Sequence, residues 1–297
     1  KALESFSELG YSNLPICMAK TQYSFSDDPN WKGAPSGYAF PVTDVGPDAP
    51  APGAHPLVLV PGIGGPRDTY HHQLAAFRGD RRVVATNLNA VRGKGMSAIE
   101  SAARDVLAAM DTLQVDRADV LGASFGSVVA ASVALLAPAR VAHLVWVAPP
   151  VVHHAPWRSI FGPGWLFGGA LLRYSPPRFH GPVAQFLFDR QIYSPEPDLS
   201  PHELQLLAKR ASDTQFAPFF ERLVELRGWD WRQLPAPIPH PLLVMQGRRE
   251  HALTPPDVVA ALERLSGRPV AITPGHHMPY LSFPREFNQV LRGFLYS

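Results

Sequence analysis

Cysteine is nearly absent from this sequence, and several familiar kinds of site are excluded with it. Cys17 is the one cysteine among 297 residues, so no internal disulfide can form and no Cys/His metal spacing is present. Histidines occur in the pairs His71–His72, His153–His154 and His276–His277, without the i, i+4 spacing that puts two ligands on one helix face. The sequence therefore predicts neither a metal nor another cofactor.

The sequence also lacks an excess of charge of one sign and a long apolar run. Its 27 basic and 25 acidic residues nearly cancel, which gives no reason to expect nucleic acid or an anionic membrane as a partner. No run reaches the roughly 18 apolar residues that span a bilayer, so no stable membrane insertion is expected. A cytoplasmic location is favoured, although the start at Lys1 is compatible with a trimmed leader.

What the sequence does contain is enough apolar material for a sizeable core, since 46% of the residues are hydrophobic. Short apolar runs typical of buried strands alternate with segments of helical periodicity. This alternation predicts an α/β fold, a mostly parallel sheet with helices on both faces. The predicted strands are Leu57–Val60, Arg82–Thr86, Ala118–Leu121, Val141–Val147, Leu242–Met245 and Pro269–Ile272, with Tyr38–Val42 as a further candidate. The predicted helices are Ile99–Leu113, Phe125–Ala137, Asp257–Leu265 and Arg285–Leu295.

The alternation stops between about Pro149 and Pro239. This stretch is rich in aromatic residues and is typical of helices without strands. We interpret it as a helical cap, residues 149–237, inserted into a core domain formed by residues 1–148 and 238–297. The alternative is a second helical layer with a purely structural role.

The segment Gly122–Gly126 fits the pattern G-x-S-x-G, with Ser124 at its centre. It follows a predicted strand and opens a predicted helix, the setting that a nucleophilic serine on a sharp turn requires. Glycines on both sides let the strand and the helix approach closely, and the helix N-terminus favours negative charge beside the serine. The alternative is a serine that only caps the helix.

A serine nucleophile needs a base, and the loop after the last predicted strand offers His276 and His277. With the serine motif, this loop resembles the α/β-hydrolase family, in which Gly-His-Met-Pro often precedes a further proline. Met278 follows His277 directly, and Pro284 lies seven residues after His277. The resemblance implies His277 as the base and leaves His276 as a loop residue.

The resemblance also implies an acid in the segment Gly247–Pro255, where family members usually carry Gly-x-x-Asp. Glu250 stands at the aspartate position and precedes His277 by 27 residues, enough for one helix and one strand. The order serine, acid, histidine is that of α/β-hydrolases. The alternative is a surface glutamate paired with Arg248 or Arg249.

An oxyanion hole is expected from two backbone amides. Phe125 follows the nucleophile and would supply one amide. The glycine-rich loop Val60–Pro66 resembles the His-Gly-x segment of the family, which implies the amide of Ile63 as the second donor. A phosphate-binding loop is the competing interpretation, but neither G-x-G-x-x-G nor G-K-[ST] is completed.

The resemblance runs from Leu57 to Val147 and from Pro241 to Leu295, and the first fifty residues carry none that supports an inference. It implies a serine esterase without a cofactor. The substrate would be a small carboxylic ester with an apolar acyl or alcohol part, cleaved through an acyl-enzyme by Ser124, His277 and Glu250. A thioester substrate or acyl transfer would use the same groups. A homo-oligomer is compatible with the sequence.

Two alternatives of other classes stay open. One is a cofactor-free lyase or carbon–carbon hydrolase on the same scaffold. The other is a non-catalytic binding or adaptor protein, because Gly-Ala-Ser at 122–124 and Pro-Tyr-Leu at 279–281 faintly resemble maspardin-like members of the family. Retention of a serine, an acid and a histidine favours an active enzyme.

Overall fold

A computed structural model describes residues 42–64, 67–88, 96–150, 199–200, 203, 216–234, 236–250 and 256–297. The strands in these ranges are β1 (Thr43–Val45), β2 (Leu57–Val60), β3 (Val83–Ala85), β4 (Ala118–Ala123), β5 (Val141–Val147), β6 (Leu242–Gly247) and β7 (Ala271–Thr273). The helices are α1 (His71–Phe77), α2 (Ala98–Thr112), α3 (Phe125–Leu136), α4 (Phe216–Leu226), α5 (Pro256–Ser266), α6 (Pro279–Ser282) and α7 (Pro284–Leu295).

The strands form one seven-stranded sheet in the order β1-β3-β2-β4-β5-β6-β7. Strand β1 pairs antiparallel with β3, and all other pairs are parallel. Side chains alternate between the two faces of the sheet. Val58 and Val120 pack into the core that includes α2, α3 and α5, whereas Leu57 and Leu121 pack into the core that includes α1 and α7. The predicted mostly parallel, doubly wound fold is confirmed.

Strands β2 to β7 each overlap a predicted apolar run. The candidate strand Tyr38–Val42 lies outside the described residues except for Val42, and β1 begins one residue later, at Thr43. Helix α1 was not predicted, because its sequence HHQLAAF carries only two large apolar residues and its helical face is short.

The predicted cap lies mostly outside the described residues, so its boundaries stay a prediction. Its described part includes α4 and the 3₁₀ turn Trp231–Gln233. Glu225 of α4 accepts hydrogen bonds from the amides of Ala98 and Ile99, at 2.7 and 3.0 Å. A carboxylate at a helix N-terminus satisfies amides that have no partner within the helix, so this contact fastens α4 to α2. Among the described helices, none is long and apolar enough to cross a membrane.

A buried ion pair lies near the amino end of β4. Oδ2 of Asp119 accepts a hydrogen bond from Nη1 of Arg81 at 2.6 Å, and Oδ1 lies 2.7 Å from Nδ1 of His143. Arg81 and Asp119 are 0% and 1% exposed. Because both charges have lost their water, each depends on the other for its stability.

We expect Arg81→Met to lower the free energy of unfolding by about 3–5 kcal/mol, because the Asp119 carboxylate would stay buried without its arginine. Urea unfolding followed by circular dichroism measures the loss. The double variant Arg81→Met/Asp119→Leu removes both charges and should recover most of it. A single-variant loss below about 1 kcal/mol, the range of a surface pair, would contradict the expectation.

Candidate active site

Ser124 occupies the turn between the end of β4 and the start of α3. Its backbone φ of 53° and ψ of −122° are rarely adopted by residues other than glycine. The Ser124 amide donates a hydrogen bond to the carbonyl of Val147 at 2.8 Å, which ties the turn to β5. The residue is half-buried, so it is not sealed within the core. A strained serine between strand and helix is the local geometry of a nucleophile elbow.

Gly122 and Gly126 make this turn sterically feasible. A Cβ atom on Gly122 would overlap the carbonyl of Gly126 and lie 2.6 Å from the amide nitrogen of Ser127. A Cβ atom on Gly126 would overlap the carbonyl of Val60 and lie 2.6 Å from the carbonyl oxygen of Pro61. The two glycines therefore let the backbones of β2, β4 and α3 converge around Ser124.

The loop after β2 lies beside the serine. A Cβ atom on Gly62 would lie 3.4 Å from Cβ of Ser124 and 4.0 Å from its Oγ. At the start of the loop, the carbonyl of Val60 accepts a hydrogen bond from the buried Tyr70 hydroxyl at 2.8 Å. Burial raises the pKa of Tyr70 well above its ordinary value, so this hydroxyl keeps its proton. The loop therefore borders the Ser124 hydroxyl on one side, and the Tyr70 hydrogen bond holds the start of the loop in place.

Arg222 of α4 braces the same loop from the other direction. Its Nη1 donates a hydrogen bond to the carbonyl of Ile63 at 3.0 Å, and its guanidinium carbon lies 5.9 Å from the centre of the Phe125 ring. Burial lowers the pKa of Arg222 to about 10, against the pull of nearby carboxylates, so the side chain is still charged at neutral pH. Arg222 thus contacts both residues predicted to form the oxyanion hole.

Glu250 and His277 lie side by side although 27 residues separate them in the sequence. Nδ1 of His277 is 2.9 Å from Oε2 of Glu250, and the two residues are 7% and 4% exposed. A carboxylate can only accept at neutral pH, so the facing Nδ1 carries the proton and Nε2 carries the lone pair of the neutral ring. This is the tautomer that a general base for a hydroxyl requires.

The two loops that carry this pair are joined by backbone hydrogen bonds. The Arg248 amide donates to the carbonyl of Thr273 at 2.8 Å, and the Arg249 amide donates to that of Gly275 at 3.1 Å. The side chains of both arginines point to solvent, since both residues are exposed, whereas Glu250 is buried. The geometry therefore favours a histidine partner for Glu250 over a surface arginine.

Strands β2, β4, β6 and β7 run in the same direction, so their carboxyl ends meet at one edge of the sheet. The loops and turns that follow these strands carry Ile63, Ser124, Glu250 and His277, while Phe125 opens α3 directly after the serine. The carboxyl edge is where open α/β sheets bind ligands. The structure thus brings all five predicted site residues to one edge of the sheet.

Two contacts at this edge were missed by sequence analysis, those of Tyr70 and Arg222. The hydrogen bond from Arg222 to Ile63 spans 159 residues, and a single arginine in an amphipathic helix carries no local signal. Among the described residues, one group of three potential metal ligands lies close together, formed by His71, His72 and Glu203. His153, His154 and His251 lie outside the described residues.

Residues 1–63 match the family model of formate–tetrahydrofolate ligase. Over 58 residues the chain is 53% identical to the ligase of Arabidopsis thaliana, and over 43 residues it is 63% identical to that of Sinorhizobium fredii. These segments make up 20% and 14% of this chain but only 9% and 8% of the ligases. The similarity is therefore confined to a short segment, and sequence analysis found no usable resemblance in the first fifty residues of that segment.

Solved structures resemble the chain over most of its length. A hydrolase from Pseudomonas aeruginosa has a TM-score of 0.66 at 22% identity, with 86% of this chain and 94% of that chain covered. An enol-lactonase from Burkholderia xenovorans has a TM-score of 0.68 at 18% identity, with 86% of this chain and 96% of that chain covered. An esterase from Exiguobacterium antarcticum has a TM-score of 0.64 at 18% identity, with 86% of this chain and 95% of that one covered. At these identities the likeness concerns the fold.

The family model described as alpha/beta hydrolase fold matches residues 55–284, which is most of the chain and includes every predicted site residue. Together with the sheet order and the strained serine turn, this match identifies the family. The chain belongs to the alpha/beta hydrolase fold family.

Proposed function

We propose that this chain is a serine hydrolase that cleaves carboxylic esters through an acyl-enzyme on Ser124. The observation that carries the proposal is the buried contact of 2.9 Å between His277 Nδ1 and Glu250 Oε2, at the sheet edge that also holds the strained Ser124. A serine hydroxyl is a weak nucleophile until an oriented base takes its proton. A buried histidine held by a carboxylate supplies such a base.

In the proposed reaction, His277 Nε2 takes the Ser124 proton while Oγ attacks the ester carbonyl. The amides of Phe125 and Ile63 donate hydrogen bonds to the oxygen as it becomes negative. His277 then protonates the leaving alcohol, and the acyl group remains on Ser124. Water attacks the acyl-enzyme with His277 again as the base, which releases the acid and restores the serine. Glu250 stabilises the imidazolium that forms in both steps.

Esters with an apolar acyl or alcohol part are the proposed substrates, and lactones are included because a lactone is a cyclic ester. An enol-lactonase and an esterase are among the proteins of similar fold. Cleavage of a carbon–carbon bond is the alternative that sequence analysis leaves open, and the experiment must distinguish it from ester hydrolysis. We do not propose ligase activity, because the ligase-like segment spans under a tenth of those enzymes.

The test combines covalent labelling with a substrate panel. A fluorophosphonate should add one phosphonyl group per chain, and peptide mass spectrometry should map it to Ser124. An unlabelled portion of the same preparation should hydrolyse p-nitrophenyl esters or lactones faster than β-diketones. A folded protein with neither labelling nor turnover would move the assignment to a binding protein. Preferential cleavage of β-diketones would move it to a carbon–carbon hydrolase.

Arg222 offers a prediction about the oxyanion hole. We expect Arg222→Met to lower kcat for ester hydrolysis roughly tenfold to a hundredfold, because loss of the hydrogen bond to the Ile63 carbonyl lets the loop shift by a fraction of an ångström or more. KM should change less, since Arg222 acts through the loop. Arg222→Lys keeps the positive charge but lacks the planar guanidinium, so its kcat should lie between those of the wild type and Arg222→Met.

The matched control is Arg264→Met, which removes an arginine from α5, where its side chain contacts the Arg232 carbonyl on an exposed surface. Thermal unfolding of each variant separates a loop effect from general destabilisation. An Arg222→Met enzyme with kcat within twofold of the wild type would show that Ile63 is positioned without this contact.

A further inference from the structure

Two histidines and a glutamate that take no part in the proposed reaction lie close together. His71 and His72 open α1, and Glu203 belongs to the described part of the predicted cap. One ligand atom from each residue lies within 4.8 Å of the other two. Nε2 of His72 is 3.0 Å from Oε1 of Glu203, a contact that spans 131 residues of sequence.

The Glu203 carboxylate is held in place by its own backbone surroundings. Its Oε2 accepts a hydrogen bond from the Ser200 amide at 2.8 Å, and its amide donates to the Ser200 hydroxyl at 3.3 Å. This reciprocal pair is a capping box. It fixes one carboxylate oxygen and leaves the other, Oε1, directed at His72. Glu203 is 8% exposed, so the carboxylate is mostly withdrawn from solvent.

His71 is oriented by a backbone carbonyl. Its Nδ1 lies 3.0 Å from the carbonyl oxygen of Asp68. A carbonyl only accepts, so Nδ1 carries the proton and Nε2 carries the lone pair of the neutral ring. Metal-ligating histidines almost always donate their second ring nitrogen to a carbonyl or a carboxylate in this way. The rings of His71 and His72 lie 3.9 Å apart, so both reach the same small volume.

We propose that His71, His72 and Glu203 form a site for a divalent transition-metal ion of the zinc type. Two imidazoles and one carboxylate are a common ligand set for zinc, with a fourth position left to water. In a tetrahedral site with bonds of about 2.0–2.1 Å, ligand atoms lie about 3.3 Å apart. The 3.0 Å separation of His72 Nε2 and Glu203 Oε1 is already close to that distance, and the third ligand atom would move inward on binding.

Sequence analysis predicted no metal from the histidine spacing, and that spacing does not register a group of this kind. Adjacent histidines do not share a helix face, but α1 places both rings in contact at the helix start, where the third ligand arrives from a distant segment. Ion binding would replace the His72–Glu203 hydrogen bond with two metal bonds and release a proton wherever a ligand is protonated. The ion would thereby fasten the segment of Glu203 to α1.

The test uses the full chain after chelator treatment. Titration with Co(II) should give the visible absorption of a four- or five-coordinate site, saturating at one ion per chain, and Zn(II) should displace it. Zinc should also raise the unfolding temperature, because a ligand that binds only the folded state stabilises it. Absence of saturable binding by the wild-type chain would overturn the proposal without recourse to any variant.

Variants locate the ion. Glu203→Gln and His72→Gln should each weaken Zn(II) binding about tenfold or more, measured by isothermal titration calorimetry. His55→Gln on the loop before β2 removes a remote histidine and should bind as the wild type does. Equal affinity of Glu203→Gln and wild type would overturn the assignment. Ser124→Ala should bind the ion normally, which keeps this proposal separate from that of the hydrolase.

Discussion

Ser124→Ala should lower kcat for ester hydrolysis by roughly 10⁴–10⁶-fold and abolish fluorophosphonate labelling, if the proposed acyl-enzyme mechanism is right. The substitution removes the attacking oxygen and leaves the oxyanion amides in place. The neighbouring Ser127 is unsuited to replace it, because its hydroxyl donates a hydrogen bond to the Ser124 carbonyl. Residual turnover should come from binding and oxyanion stabilisation alone.

The fold should tolerate this change. Serine and alanine are both L-residues with a Cβ atom, so a φ of 53° at position 124 strains the backbone by nearly the same amount in both proteins. Ser132→Ala is the matched control, because it makes the same substitution in α3, the helix that follows Ser124, at a buried hydroxyl bonded to the Val128 carbonyl. Steady-state kinetics on one ester compares the three proteins. A Ser124→Ala enzyme within tenfold of wild type would place the nucleophile elsewhere.

The sheet could be predicted from the sequence because strands that are buried on both faces consist of short, continuous apolar runs. Strands β2, β4 and β5 are almost continuously apolar. β2 ends before Pro61, β4 ends before Ser124, and β5 ends two residues before Pro149. Elements at the edge of the sheet have a weaker apolar pattern. Strand β1 is a three-residue strand at the sheet edge, with Asp44 exposed, and its residues were not predicted as a strand.

In the candidate site too, features set by neighbouring residues could be predicted, whereas contacts between distant residues could not. The turn at Ser124 could be predicted because its two glycines, its strand and its helix are contiguous. The choice between His276 and His277 required the family resemblance, since both follow β7. In the structure it is His277 that is buried against Glu250, while His276 is half-buried.

Contacts made across the chain could not be predicted. Arg222 reaches Ile63 over 159 residues and Glu203 reaches His72 over 131 residues. Neither residue has a neighbour in sequence whose pattern points to its partner. Both come from the segment between β5 and β6, where the sequence pattern of alternating strands and helices stops.

Glu250→Gln is the second substitution with a large expected effect, about a 10³–10⁴-fold loss of kcat. Glutamine has nearly the shape of glutamate, so the packing around a 4% exposed side chain should be kept. Two properties are lost. The charge that stabilises the imidazolium disappears, and an amide group facing Nδ1 of His277 can donate to it, which would move the ring proton to Nε2 and block the base.

Conservative variants distinguish this role from a structural one. Glu250→Asp keeps the charge but retracts it by one methylene, so it should retain more activity than Glu250→Gln. Arg248→Gln, on the same loop, removes an exposed side chain and should leave kcat unchanged. Unfolding temperatures of all variants must be compared with the wild type, because a buried carboxylate also holds the loop. If Glu250→Gln lost less than about tenfold in kcat while remaining folded, Glu250 would not be the group that orients His277, and the proposed mechanism would need another acid.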